Sequence, residues 1–176
     1  VVQCAALDLL VPAIDTLLED CAHGYRRGRS RSGAAQAVQM AYRDGFRWVV
    51  DADISAFFDT VRWPRLMAKL RALWPFDPLV DRIAEWVSAP VQFEGRTLIR
   101  TSGLPQGMAL SPILANLFLD EFDEALTARN FRLVRFADDF VIMCRDPKEA
   151  HAAQAEARTT LQAMGLELNL SKTAIR

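Results

Sequence analysis

The chain has only three cysteines, Cys4, Cys21 and Cys144, and no C-x-x-C pair. That argues against a disulfide framework and against a zinc site. A reducing cytosol fits this usage, and a cytoplasmic location is expected. No apolar run reaches transmembrane length, so no membrane partner is expected. Net charge is also scarce: 21 basic and 22 acidic residues leave −1 at pH 7. Bulk charge therefore announces no polyanionic partner. Internal repeats and low-complexity tracts are absent. The chain starts at Val1, with neither an initiator methionine nor a signal-like start, and stops mid-pattern at Arg176. It reads as a piece of a longer protein.

What is present suits one globular domain: 176 residues, 51% of them hydrophobic and 24% charged. Helical spacing runs over Val1–Asp20, interrupted by Pro12, and over the Ala-rich Ser30–Arg43, which Ser30 or Ser32 can cap. Phe46–Ile54 is β-rich, Trp63–Leu73 and Pro78–Ser88 are helical, and Val91–Thr101 alternates around Glu94-Gly95 as a hairpin. The loop Ser102–Gly107 leads into a long helix over Ser111–Arg129, with Ser111 as its cap and Pro112 in its first turn. Strands over Phe131–Phe136 and Phe140–Cys144 flank Ala137-Asp138-Asp139. A helix over Pro147–Met164 ends at Gly165, and Leu166–Asn169 is a short strand. The fold class is α+β: a mostly antiparallel sheet with helices against one face. The other face is left for a large ligand.

Acids interrupt two apolar elements. In DADISAFFD, Asp51 and Asp53 share one face of a strand, and Asp53 stands at its end. In VRFADDFVIMC, Asp138 and Asp139 sit between two apolar runs. Alone, that pair is most economically a polar turn. If the two elements lie side by side, the carboxylates form a hard oxygen site for Mg²⁺. Two such ions roughly 3.5–4 Å apart clamp the attacking and leaving oxygens of a phosphoryl displacement. Phe57 and Phe58 would ordinarily be core, although one ring can floor a sugar and exclude a 2′-hydroxyl. SGLPQGMALSP offers close backbone approach at Gly103 and Gly107, a donor and acceptor at Gln106, and a helix N-terminus nearby. YRRGRSR packs Arg26, Arg27, Arg29 and Arg31 around Gly28, either as a solvated face or as a phosphate cradle.

DISAFFD, LPQGMALSPILANLFLDEFD, RFADDFVI and LELNLSKT, in that order, resemble the consecutive blocks of reverse transcriptases, most nearly the bacterial group II intron-like kind. GYRRGRS resembles that family's fingers block, GFRPGRS, with Arg27 in place of proline, and Phe136 replaces the tyrosine usual before Ala-Asp-Asp. The resemblance implies a right-hand polymerase palm with part of the fingers. Residues 1–45 would be partial fingers, 46–62 palm, 63–107 the helices, hairpin and nucleotide loop of fingers and palm, and 108–176 palm. The thumb is lacking, so the piece alone is expected to be weak or inactive.

The same resemblance implies RNA-directed DNA synthesis from dNTPs on an RNA template with a DNA or RNA primer. The catalytic aspartates would be Asp53, Asp138 and Asp139. Mg²⁺, with Mn²⁺ as an alternative, would be held by Asp53, Asp138, Asp139 and the Ile54 backbone. The dNTP would meet Arg26, Arg29, Phe57, Phe58, Gln106, Gly107 and Lys172, while Arg27 and Arg31 would meet nucleic acid. Integrase or maturase regions are expected as fused or bound partners, with a lean toward a CRISPR-associated enzyme. Two other readings stand beside this one. A palm-fold nucleotidyl cyclase would need the glycines that Ala137 replaces, and a non-catalytic RNA-binding or assembly module would leave the intact aspartates unexplained.

Overall fold

The structure is a computed structural model that describes residues 1–93 and 95–176, without the Phe93 side chain. Its elements are α1 (Val2–Asp15), α2 (Arg31–Arg43), β1 (Trp48–Asp53), α3 (Phe57–Thr60), α4 (Trp63–Leu73), α5 (Pro78–Ser88), β2 (Val91–Phe93) and β3 (Arg96–Leu98). They continue with α6 (Ser111–Ala128), β4 (Arg132–Phe136), β5 (Asp139–Cys144), α7 (Pro147–Met164) and β6 (Ala174–Ile175). The antiparallel sheet runs β4-β5-β1-β6, and β2 and β3 form a separate hairpin. This is the expected α+β layout. Glu94, at the expected hairpin tip, lies outside the described residues.

Period-two patterning decides which face is covered. Val50, Ala52, Phe140, Ile142 and Leu133 are buried and point one way, where α6 and α7 pack. Their register neighbours Asp51, Asp53, Val141 and Asp139 point the other way. That second face is only partly covered: α2 crosses β4 and β5, with Arg31 stacked 5.4 Å over the Phe136 ring. Local signals fix the helix ends. Ser30 accepts from Gly33 N at 3.1 Å to cap α2, Asp146 accepts from Glu149 N at 2.8 Å to cap α7, and Gly165 closes α7 at φ 79°.

Several elements differ from expectation. Helix α1 ends at Asp15 rather than Asp20. Ser111 is the first residue of α6 rather than its cap, and its hydroxyl instead donates to Pro105 O at 2.6 Å, pinning the preceding loop. The short helix α3 arises from the turn after β1. Leu166–Asn169 is reduced to one bridge, Leu168 with Ile54, and β6 comes later in the chain. No helix among the described residues is long and apolar enough to cross a membrane.

Asp120, on α6, is 8% exposed and its Oδ1 has no hydrogen-bond partner among the described residues. Burial, with Glu124 adding to it, pushes its carboxyl up to about 6 from 3.8. The folded state therefore holds this proton more tightly than the unfolded chain, and the group destabilises the fold as pH rises from about 4 to about 6. Asp120→Asn is expected to remove that slope, about 1–2 kcal/mol after allowance for solvent screening. Thermal midpoints of the two proteins between pH 4 and 7 test this; parallel curves would refute it.

Candidate active site

The β1–β5 register places Asp53 directly opposite Asp139, and the two-residue turn Ala137–Asp138 puts Asp138 beside them. Two elements far apart in sequence thus deliver three carboxyls to one sheet end. Like charges directly opposite in a ladder are destabilising. Burial pushes the Asp138 carboxyl above its usual range, and the Asp53 charge adds to it against a lowering bond from Asp138's own amide. Asp139 is also pushed up, by burial first and then by its hydrogen bond with Asp53 and the Asp53 charge. Lys172 Nζ lies 3.0 Å from Asp53 Oδ2, and Asn169 Nδ2 donates to the same oxygen at 3.2 Å. The carboxylate contact raises the pKa of Lys172.

Among the described residues no three acidic, histidine or cysteine side chains already converge as a ligand cage. The donor chemistry nonetheless fits a hard divalent cation: three carboxyls, all oxygen, crowded at one sheet end, two of them with proton affinity raised by burial and by the Asp53 charge. The Ile54–Leu168 bridge is flanked by Asn169 N to Asp53 O and Ser55 N to Glu167 O, each 2.8 Å. By strand alternation the Ile54 backbone groups face the β5 side, where the aspartates stand.

The turn is held from behind. Arg135 is fully buried; its Nε and Nη2 reach both Asp123 carboxylate oxygens on α6, at 2.8 and 2.5 Å. Its Nη1 donates to Asn116 Oδ1 at 3.0 Å and to Ala137 O at 2.9 Å. Burial opposes the guanidinium charge, but the Asp123 carboxylate outweighs it and the pKa is raised. Residues 21–24 run alongside β4, with Arg135 N donating to Cys21 O and His23 N to Arg135 O, each at 2.8 Å. Gly24 closes this seam: a Cβ there would stand 2.4 Å from Ala137 N.

Beside the turn is a cleft of about 340 Å³ lined by Tyr25, Phe58, Pro105, Gln106, Gly107, Met108 and Ser111. Gly103 and Leu104 N–H groups donate to Val61 O at 2.8 Å and Phe58 O at 2.6 Å, stitching the loop to α3. Gly103, at φ 89°, leaves no room for a side chain: a Cβ would lie 2.8 Å from Phe58 O. Phe58 is half-buried, and Gln106 and Gly107 are exposed.

Several expected residues stand elsewhere. Phe57 is 2% exposed and packs edge-on to Phe58, with ring centroids 5.3 Å apart, and against Phe118. It is part of the core. Arg26 is a brace: its side chain is 5% exposed and binds Asp15, Glu19 O and Ala22 O. Arg29 pairs with Asp20 and lines a different cavity with Glu19, Cys21 and His23. Asp15 and Asp20 lie just upstream and satisfy these two guanidiniums, so neither reaches the cleft. Arg27 and Arg31 remain exposed. Sequence reasoning missed Tyr25, Asn169 and the Arg135–Asp123–Asn116 group. The signal for the last was an arginine where a β4 core residue belongs, answered by Asp123 and Asn116 on α6.

The family model for reverse transcriptase (RNA-dependent DNA polymerase) matches residues 1–176. The chain belongs to that family, and the nucleotidyl-cyclase reading is set aside. It is 29% identical over 123 residues to the group II intron-encoded protein LtrA of Lactococcus lactis, covering 70% of this chain and 20% of LtrA. It is 37% identical to a chain of a partial Cas6-RT-Cas1–Cas2 complex, with TM-score 0.50 over 93% of this chain and 30% of that one. Apo telomerase of Candida tropicalis, truncated from its C-terminal domain, is 16% identical with TM-score 0.73, covering 99% of this chain and 40% of that one, a likeness of fold. The chain spans less than half the length of each of these three.

Gly24→Ala is expected to destabilise the protein by about 1–3 kcal/mol, because backbone rather than a flexible side chain blocks the new methyl. Urea unfolding measures it, and an unchanged midpoint would contradict the packing described.

Proposed function

We propose that this chain is the fingers and palm core of an RNA-directed DNA polymerase that adds dNTPs to a primer 3′-hydroxyl. One observation carries the reading: the β1–β5 register sets Asp53 against Asp139, with Asp138 adjacent, at the end of the sheet where the Phe58–Gln106 cleft opens. Residues 1–45 would be partial fingers, 46–62 palm, 63–107 the helices, hairpin and nucleotide loop of fingers and palm, and 108–176 palm.

Asp53, Asp138 and the Ile54 carbonyl would hold Mg²⁺ or Mn²⁺, with Asp139 supporting them. When bound, such a pair supplies acidity toward the primer hydroxyl and neutralises triphosphate charge. The protein's own part is positioning and electrostatics. The half-buried Phe58 ring would underlie the sugar and exclude a 2′-hydroxyl. Gln106 and the Gly107 amide would meet the nucleotide from the loop, and Arg27 and Arg31 would meet template or primer phosphates. Lys172, which stays protonated beside Asp53, would swing from that carboxylate to give its proton to the departing pyrophosphate. RNA template, DNA or RNA primer and dNTPs are the partners. A setting with fused or bound integrase or maturase regions draws support from the 37% identity to a chain of the Cas6-RT-Cas1–Cas2 complex.

In the longest natural polypeptide that contains this chain, Asp138→Ala is expected to cut dNTP incorporation on an RNA template by about 10³-fold or more, the worth of several kcal/mol of transition-state stabilisation. Retained incorporation refutes the polymerase reading; RNA binding without Mg²⁺-dependent dNTP binding would favour a non-catalytic module. Phe58→Val is expected to admit ribonucleotides, read as the ratio of kcat/KM for dNTP and rNTP; an unchanged ratio removes Phe58 from the sugar site.

A further inference from the structure

The Ala137–Asp138 turn is held in a conformation that its sequence disfavours. It joins β4 to β5 through two residues, and Ala137 sits at φ 60°. Such turns put glycine at the position that needs positive φ, because a Cβ there is strained. The Arg135 guanidinium anchors Ala137 in this conformation, with Nη1 donating 2.9 Å to Ala137 O. The same Nη1 reaches Asn116 Oδ1 at 3.0 Å, and Asn116 Nδ2 donates 2.8 Å to Gly24 O, one residue before Tyr25 in the nucleotide cleft.

We propose that Arg135 and Asn116, anchored by Asp123, form a buried positioning cluster that sets the aspartate turn against the nucleotide cleft. The inference rests on the polymerase reading above. The Asp123 carboxylate takes Nε and Nη2, and a fully buried Nη1 must still find acceptors. The remaining guanidinium nitrogen is committed to the turn and to a carboxamide whose other end holds the cleft-side backbone. A bidentate guanidinium with a third donor is a fork that lysine cannot reproduce. Asp138 and Tyr25 are thus tied through one side-chain pair, and the two ties separate in kinetics. Arg135 governs where the carboxylates point, which acts on the chemical step. Asn116 governs where the cleft wall stands, which acts on nucleotide binding.

The test uses the longest natural polypeptide containing this chain, an RNA template and a DNA primer, assayed well below each variant's thermal midpoint. Arg135→Lys is expected to lower kcat about 10–100-fold, the cost of an ångström-scale misplacement, with the dNTP KM within about threefold. Ala137→Gly in the same chain is expected to recover part of that loss, because glycine takes the turn conformation unaided. Asn116→Ala is expected to raise the dNTP KM more than it lowers kcat. A folded Arg135→Lys with unchanged kcat overturns the proposal, as does a loss that Ala137→Gly leaves untouched. Should Arg135→Lys not fold, Asn116→Ala decides, and an unchanged dNTP KM overturns the proposal. An enzyme indifferent to Asp138→Ala refutes the polymerase reading itself, and this inference with it. Dependence on Asp138 without dependence on Arg135 or Asn116 refutes this inference alone.

Discussion

A guanidinium removed from water must be matched in charge and in every donor, or the fold loses several kcal/mol. Arg135 heads the largest fully buried side chains among the described residues, and meeting that demand organises its surroundings. It requires a carboxylate on α6 at the level of β4, which fixes how the long helix crosses the sheet. It requires a further acceptor at Asn116, which commits the same helix to the segment before Tyr25. It also requires the carbonyl of Ala137, which commits the hairpin tip. An apolar residue at this position could fill the volume and would hold none of these three elements in register. The bonds from Arg135 N and O to residues 21 and 23 extend the sheet by one short parallel bridge. Residues 21–24 are thereby part of the sheet's hydrogen-bonded layer.

That rigidity balances a local instability. Opposing Asp53 to Asp139 works against the ladder, and burial, with the Asp53 charge adding to it, raises the proton affinity of both Asp138 and Asp139. The rest of the β1–β5 pairing is apolar on its helix side, with Val50, Ala52, Phe140 and Ile142 buried, and this burial holds the strands in register despite the repulsion. Acids at one end and hydrophobes along the remainder let one strand pair carry both structure and a site. The arrangement is legible only when both elements are set side by side, because in isolation each acid has a bland explanation as a turn or a cap.

The sequence disclosed what depends on local pattern. Strand and helix periods, the turn at Ala137, the Gly165 stop and the glycines of the 103–107 loop are written within a few residues of where they act. Partners at long range are not written that way. Asn169 and Lys172 reach Asp53 across more than a hundred positions, and no periodicity could have paired them. The arginines illustrate the converse error. In sequence, Arg26 and Arg29 stand in a basic run that invites phosphate, yet the chain supplies its own acids, Asp15 and Asp20, just upstream. A charge cluster says that anions are wanted nearby and is silent on whether the protein provides them. The burial of Phe57 was hidden for a similar reason: of two adjacent aromatics on a short helix, the backbone turn decides which faces the core, and α3 was not visible in the pattern.

The contacts of Asp53 separate the permanent from the exchangeable. Its backbone carbonyl accepts from Asn169 N at 2.8 Å, which ties β1 to the segment after α7 as sheet hydrogen bonding does. Its side chain instead meets a lysine that is 64% exposed. Only the lysine end is open to water, because the Asp53 side chain is 13% exposed; the contact therefore opens cheaply only when another cation takes the ammonium's place, while the backbone tie stays closed. Strand position and side-chain partner are therefore set independently. Asp53 can exchange the Lys172 ammonium for another cation without disturbing the ladder that aims it, and Lys172, on a turn pinned by Asn169, can reach outward without unfolding its own segment. The buried arginine behind the turn and the exposed lysine before it thus divide the work. One cation is fixed so that the carboxylates keep their places, and the other is loosely held so that their charge stays available.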